Sequence, residues 1–193
     1  MKNETLLLKS LYDTFNTEYY KKELISITNG DKCVSLRSVD WFITNYSKKQ
    51  NIYYKIYKGD KGKLTFFGNN NNKLIRNINV FQSYKAQLKA YSKKKFDPFC
   101  RRDRIEFSIN DIILSTTIGQ LNFFKWAIDN LIIDYIIKNK DIIENDMNNS
   151  LKKMKENGIL YKKKGERKLR QELSLSATRG LSRVNISTVL KFD

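Results

Sequence analysis

The stretch Ala90–Ile105, AYSKKKFDPFCRRDRI, decides how the rest of the chain is read. It contains Pro98, the one proline among 193 residues. The residue before a proline is pushed out of the α region, so a helix running into this stretch must stop near Asp97. Lys93, Lys94 and Lys95 stand before the break and Arg101, Arg102 and Arg104 after it, with Tyr91, Phe96 and Phe99 threaded between them. Phe81–Lys95 leads in with helical periodicity. Tyr84, Leu88 and Tyr91 recur at i, i+4, i+7, and Lys85, Lys89 and Lys93 form a neighbouring stripe. Like charges at that spacing repel by about 0.2–0.5 kcal/mol per pair. The stripe is therefore either a merely solvated face or a surface whose repulsion an anion relieves. Asp103 and Glu106 offer local ion-pair partners to the arginines, which is the structural alternative to a phosphate site.

Behind the stretch, Thr117 and Gln120 have the spacing of a capping box. The helix it predicts, Thr117–Asn139, carries Ile118, Leu121, Phe124, Ile128, Leu131, Ile132, Tyr135 and Ile136 on more than one face and is expected to be the central buried helix. A second box-like cap at Asp141–Glu144 opens a helix with the stripe Ile143, Met147, Leu151 and Met154, and the two helices are expected to form an α-hairpin. Ahead of the stretch, Glu4–Phe15 is amphipathic. LISIT (24–28) and KCVSL (32–36) flank Asn29-Gly30-Asp31, whose positive-φ tolerance predicts a β-hairpin. Ser38 is the expected N-cap of a helix that turns Val39, Phe42, Ile43 and Tyr46 inward, with Trp41 beside them as a packing residue. Asn51–Tyr57 and Leu64–Phe67 are two further strands joined across Gly59–Gly62, and the tract Asn69–Asn72 is assigned no role.

Lys152–Arg170 holds nine basic residues against Glu156 and Glu166, a net of +7, and Gly158 and Gly165 interrupt it. Residues 185–192, NISTVLKF, have the composition of a last strand. The fold class is thus α+β: antiparallel β-hairpins and a C-terminal strand on a helical core. The expected division is a main domain over 1–157, a basic linker over 158–183, and a strand over 184–193 returning to the main domain.

Composition narrows the chemistry. The formal charge is 37 − 20 = +17. A chain this basic suits a polyanion, although AT-rich codon usage raises Lys, Asn and Ile together and explains part of the count. The arginine clusters are harder to explain that way. There is no histidine, which removes His-based catalytic dyads and imidazole metal sites. Cys33 and Cys100 lie 67 positions apart, so no CxxC zinc site exists and reduced thiols are expected. Neither GxGxxG nor GxxxxGK[ST] occurs, which disfavours ATP and GTP hydrolysis. Leu6–Leu8 is too short an apolar run for a signal peptide, and no transmembrane helix is expected. Asp97, Asp103 and Glu106 could hold Mg²⁺ in a nuclease-like centre, but they are outnumbered by arginine and are more simply its partners. No enzyme, metal or cofactor is expected.

Several segments resemble one family. They are SLRSVDWFITNY (35–46), AQLKAYSKKKFDPFCRRDRI (86–105), TTIGQLNFFKWAI (116–128), IENDM (143–147) and the ending SATRGLSRVNISTVLKFD. Together they resemble an uncharacterised protein family of the nucleocytoplasmic large DNA viruses, the giant viruses of amoebae and algae. The resemblance covers most of the chain in order and implies no catalytic residue. It implies a virus-encoded intracellular protein of the host's cytoplasmic viral factory or of the virion.

The residues point to non-catalytic, charge-directed nucleic-acid binding, to DNA more than RNA. The expected phosphate contacts are Lys85, Lys89, Lys93, Lys94, Lys95, Arg101, Arg102 and Arg104, with Lys162, Lys163, Lys164, Arg167, Lys168 and Arg170 in the basic segment. No zinc finger, RRM signature or basic zipper is present, so shape and charge are expected to direct binding rather than base readout. Tyr91, Phe96 and Phe99 could stack bases of a single strand, or be core. The competing expectation is a virion structural protein whose basic surface docks acidic proteins or an inner membrane.

Overall fold

The computed structural model describes residues 2–156 other than 31, 33, 60, 61, 69–71, 110 and 111. The expected linker (158–183) and C-terminal strand (184–193) lie outside the described residues, as do Cys33 and the basic residues Lys162 to Arg170. The fold is α+β. Its helices are α1 (Lys2–Phe15), α2 (Glu18–Asn29), α3 (Leu36–Trp41), the short α4 (Ser47–Lys49), α5 (Val80–Lys95), α6 (Ile118–Asp129), α7 (Ile132–Lys138) and α8 (Lys140–Glu156). A π-helical turn, Phe42–Tyr46, joins α3 to α4. Strands β1 (Tyr53–Lys58), β2 (Leu64–Thr65) and β3 (Lys73–Asn79) form an antiparallel sheet in the order β2-β1-β3, and β4 (Ile105–Ile109) pairs with β5 (Ile112–Thr116) in a hairpin.

The core gathers around α6. Leu121, Phe123, Phe124, Trp126, Ala127 and Ile128 are all buried, so this helix is covered over most of its circumference, and the Lys125–Asp129 edge is half-buried. Leu11 and Phe15 of α1, Leu24 and Ile27 of α2, Phe42 and Ile43, Phe107 of β4 and Ile132 of α7 close on the same cluster. Each large apolar side chain so buried contributes about 1.5–3 kcal/mol.

Three expectations are corrected. The expected hairpin does not form: 24–28 is the end of α2, and Val34 and Ser35 lead into α3 at Leu36 instead of forming a second strand. Tyr20, Leu24 and Ile27 recur at helical spacing, and Gly30 takes its positive φ of 77° as the helix C-cap, its N–H donating to Ile27 O. Asn-Gly supplies a left-handed residue, and a helix end uses it as readily as a hairpin does. The N-cap of α3 is Ser35, whose hydroxyl accepts from Ser38 N at 3.0 Å, while Ser38 is buried inside the first turn. The long helix 117–139 is two helices. Asn130 folds its side chain onto Trp126 O at 2.7 Å, and Leu131 adopts φ 52° to plug a second, small cluster with Ile56 and Ile78 under the sheet. Tyr54 OH donates to Asn130 O at 2.7 Å and ties the sheet to that break. α7 and α8 then pack on one another across Asn139.

Strands β3 and β5 were not anticipated. In β3, Leu74 and Ile75 are exposed and only Ile78 is buried, so no inside–outside alternation marks the strand. Trp41 is a packing residue, 4% exposed, and its indole donates to Asp146.

Candidate nucleic-acid interface

The corner at Pro98 divides into a buried plug and an exposed rim. Phe96, Asp97, Pro98 and Phe99 are buried. The plug sits on the N-terminal turn of α6. Asp97 N–H donates to Gly119 O at 3.1 Å. Gln120 Nε2 donates to Pro98 O at 3.0 Å, and Asn122 Nδ2 donates to Lys95 O at 2.8 Å. Gly119 is needed for this approach: a Cβ there would stand 3.1 Å from Lys94 O. Thr117 Oγ1 caps α6 by accepting from Gln120 N at 3.1 Å, as its spacing predicts. The Gln120 side chain does not return to Thr117; it bridges Pro98 O and Thr116 Oγ1 instead. A buried carbonyl of the corner thus outcompetes the second half of the capping box.

Arg101 is itself half exposed but is tied to the plug. Its Nε donates to Asp97 Oδ2 at 3.0 Å and its Nη2 to Oδ1 at 2.6 Å, a bidentate pair on a carboxylate only 9% exposed. Its guanidinium also lies 4.8 Å from the Phe99 ring centroid. The Asp97 hydrogen bonds hold the Arg101 guanidinium even further up than its usual range. Both Asp97 oxygens are occupied in this way. Among the described residues no three Cys, Asp or Glu side chains gather as a metal-holding group. Cys100 is a half-buried free thiol; burial pushes its pKa up, against the pull of Arg104.

The rim is different. Lys85, Lys89, Lys93, Lys94, Arg102 and Arg104 are exposed and Lys95 half-buried, and none makes an ion pair with a described residue. Asp103 and Glu106 do not pair with these cations. Lys32, Lys49 and Lys125 elsewhere do find carboxylates. Lys48, which the sequence did not single out, joins the rim: its Nζ and that of Lys85 each lie 5.6 Å from the Phe81 ring centroid. The sequence carries no signal for that meeting, because α4 and α5 are separated by the whole β1–β3 sheet. At Ser92 the backbone of α5 leaves the helical region (φ 58°, ψ 170°), so Lys93–Lys95 follow a kink. That conformation costs roughly 1–3 kcal/mol for a residue other than glycine.

Of the aromatics considered for stacking, Phe96 is 1% and Phe99 7% exposed, and both are core. Phe96 meets Phe123 and Trp126 at 5.3 and 5.6 Å between centroids. Tyr91, 36% exposed, remains accessible at the edge of a polar cleft on another face of α5.

Among the described residues no helix is long and apolar enough to cross a membrane. No solved structure matches the chain. An uncharacterized protein of Acanthamoeba polyphaga mimivirus is 41% identical over 149 residues, which covers 74% of this chain and 52% of that protein. The chain therefore spans about half the length of that curated relative, which comes from a giant virus as the resemblance implied. Residues 1–178 match the family described as a family of unknown function (DUF7197), and the chain belongs to that family.

Proposed function

We propose that the chain is a charge-directed nucleic-acid-binding protein of a large DNA virus, acting in the viral factory or the virion core without catalysing a reaction. One observation carries the reading. The seven basic side chains Lys85, Lys89, Lys93–Lys95, Arg102 and Arg104 lack an ion-pair partner among the described residues, although Asp103 and Glu106 are their near neighbours in sequence. Charges left uncompensated on one helix and the corner after it are what a phosphate backbone neutralises. The rim offers no recognition element for a groove, so contacts to phosphate dominate and sequence is not read. DNA is preferred to RNA as the ligand, with Arg101 kept as a structural residue.

The test is a titration of labelled 30-mers of duplex DNA, single-stranded DNA and RNA across a salt series. Affinity should fall steeply with salt, with a log–log slope on duplex DNA of about −0.9 per phosphate contacted. Absence of binding at low salt would sink the proposal. A second reading is favoured by the exposure of Tyr53 (72%), Phe67 (65%), Leu74 (45%) and Ile75 (42%) on and beside the three-stranded sheet. Apolar surface of that kind suits docking to a virion protein. Under that reading the chain co-fractionates with the capsid shell after DNA is removed.

A further inference from the structure

Helix α5 presents a second face to a cleft. Lys85 and Lys89 come two residues after Ser83 and Gln87, roughly 200° around a helix that turns 100° per residue. The Ser83–Gln87–Tyr91 face borders an open cleft of about 420 Å³ lined by residues of α1, β3, α5 and α6, within the roughly 300–1,000 Å³ range of small-ligand sites. Its charged lining is Arg76, Lys125 and Asp129, a net of +1 from two cations and one anion. Lys125 is spent on Asp129 at 2.8 Å, and Asp129 also accepts from Tyr20 OH. Arg76 makes no ion pair with a described residue, so one guanidinium remains for a ligand anion.

The polar lining divides in the same way. Asn122 and Asn130 are committed to backbone carbonyls, of Lys95 and Trp126. Asn77, Gln82 and Gln87 line the cleft and make no side-chain hydrogen bond to a described residue. Ser83 Oγ accepts from Trp126 Nε1 at 3.0 Å, which orients the hydroxyl and leaves its hydrogen to donate. Trp126, buried against Tyr84, Phe96 and Phe123, forms the floor, and Tyr91 is the accessible ring at the rim. A ligand that satisfies this set carries an anion for one guanidinium, a planar edge with both donors and acceptors for the amides, and a flat face for Tyr91.

We propose that this cleft binds a single nucleotide, either free or as the unstacked end of a strand, with its phosphate on Arg76 and its base edge on Asn77, Gln82 and Gln87. The ligand class rests on the nucleic-acid reading; the place rests on the cleft alone. Tyr91 and the kink at Ser92 connect the cleft directly to Lys93–Lys95, so a strand held by the rim has its end within reach of it.

Calorimetric titration of the full chain with dAMP, dGMP, dCMP, TMP, inorganic phosphate and a neutral disaccharide tests it. At least one mononucleotide should saturate, with inorganic phosphate and the disaccharide at least tenfold weaker. Arg76→Ala should weaken that nucleotide about tenfold or more, as expected for loss of a charge-assisted contact. Gln87→Leu should alter the ranking among bases. Both positions lie outside the core, and thermal melts of the variants should match the parent. Failure of every mononucleotide to saturate, equal binding of inorganic phosphate or the disaccharide, or indifference to both substitutions would overturn the proposal. Competition of a single-stranded 12-mer by the mononucleotide assigns the cleft to strand ends; its absence assigns it to free nucleotide. The two readings fail separately: Lys89→Glu with Arg102→Glu should abolish duplex binding and leave mononucleotide binding intact.

Discussion

The plug and the rim of the Pro98 corner are neighbours in sequence and opposites in environment. Phe96–Phe99 are buried and every polar group named there has a partner: Asp97 holds Arg101 and Gly119, and Pro98 O holds Gln120. Lys93, Lys94, Arg102 and Arg104, a few residues away, are exposed and unpaired among the described residues. Three arginines that look equivalent in sequence therefore do two jobs. Arg101 neutralises a buried carboxylate and belongs to stability, whereas Arg102 and Arg104 are free to meet an external anion. A cluster of like charges is not a unit of function until its counterions are located.

The contrast can be broken from either side. Phe96→Ala removes the most deeply buried ring of the plug from a contact with Phe123 and Trp126 and should cost about 3–5 kcal/mol, read as a drop in the urea midpoint. Arg101→Ala removes the bidentate partner of the buried Asp97 carboxylate; because the Arg101 side chain is itself half exposed, water replaces part of the pair, and a cost of about 1–2 kcal/mol is expected in the same measurement, more than any rim substitution. Gly119→Ala sets two effects against each other. The helix gains propensity, but the new Cβ meets the backbone of Lys94–Phe96, which is pinned by hydrogen bonds and cannot withdraw freely. A net loss of about 1 kcal/mol is expected. Arg102→Ala with Arg104→Ala should change stability by less than about 0.5 kcal/mol. The same pair should flatten the salt slope on duplex DNA by about 1.8, or 0.9 per lost contact. Equal destabilisation by Arg101→Ala and Arg102→Ala would erase the distinction between plug and rim.

Strong local signals in the sequence were legible. Thr117 caps α6, α5 is over before Pro98, Gly59–Gly62 joins β1 to β2, and the Leu11 and Phe15 stripe buries α1. Ambiguous ones were not. The alternating run before Asn29-Gly30 satisfies a strand and a helix equally, and burial of Leu24 and Ile27 against the core selects the helix. Nothing local predicts the break at Leu131, because its cause is a sheet more than fifty residues upstream that needs a side chain beneath it. The rim lysines and arginines were legible as a basic run; the commitment of Arg101 and the arrival of Lys48 beside Lys85 were not. The cleft was illegible altogether, since Arg76, Gln87 and Lys125 come from three separate elements.

By itself, then, the sequence determined the α+β class, the apolar centre at α6, the obligatory stop before Pro98 and the excess of positive charge, because these rest on periodicity, capping chemistry, ring sterics and composition, all properties of short stretches. Only the tertiary structure decided which cations are neutralised and which remain free, and which amides share a cleft. Those outcomes depend on what lies across a contact of a few ångströms, and such contacts join residues that are distant in the chain.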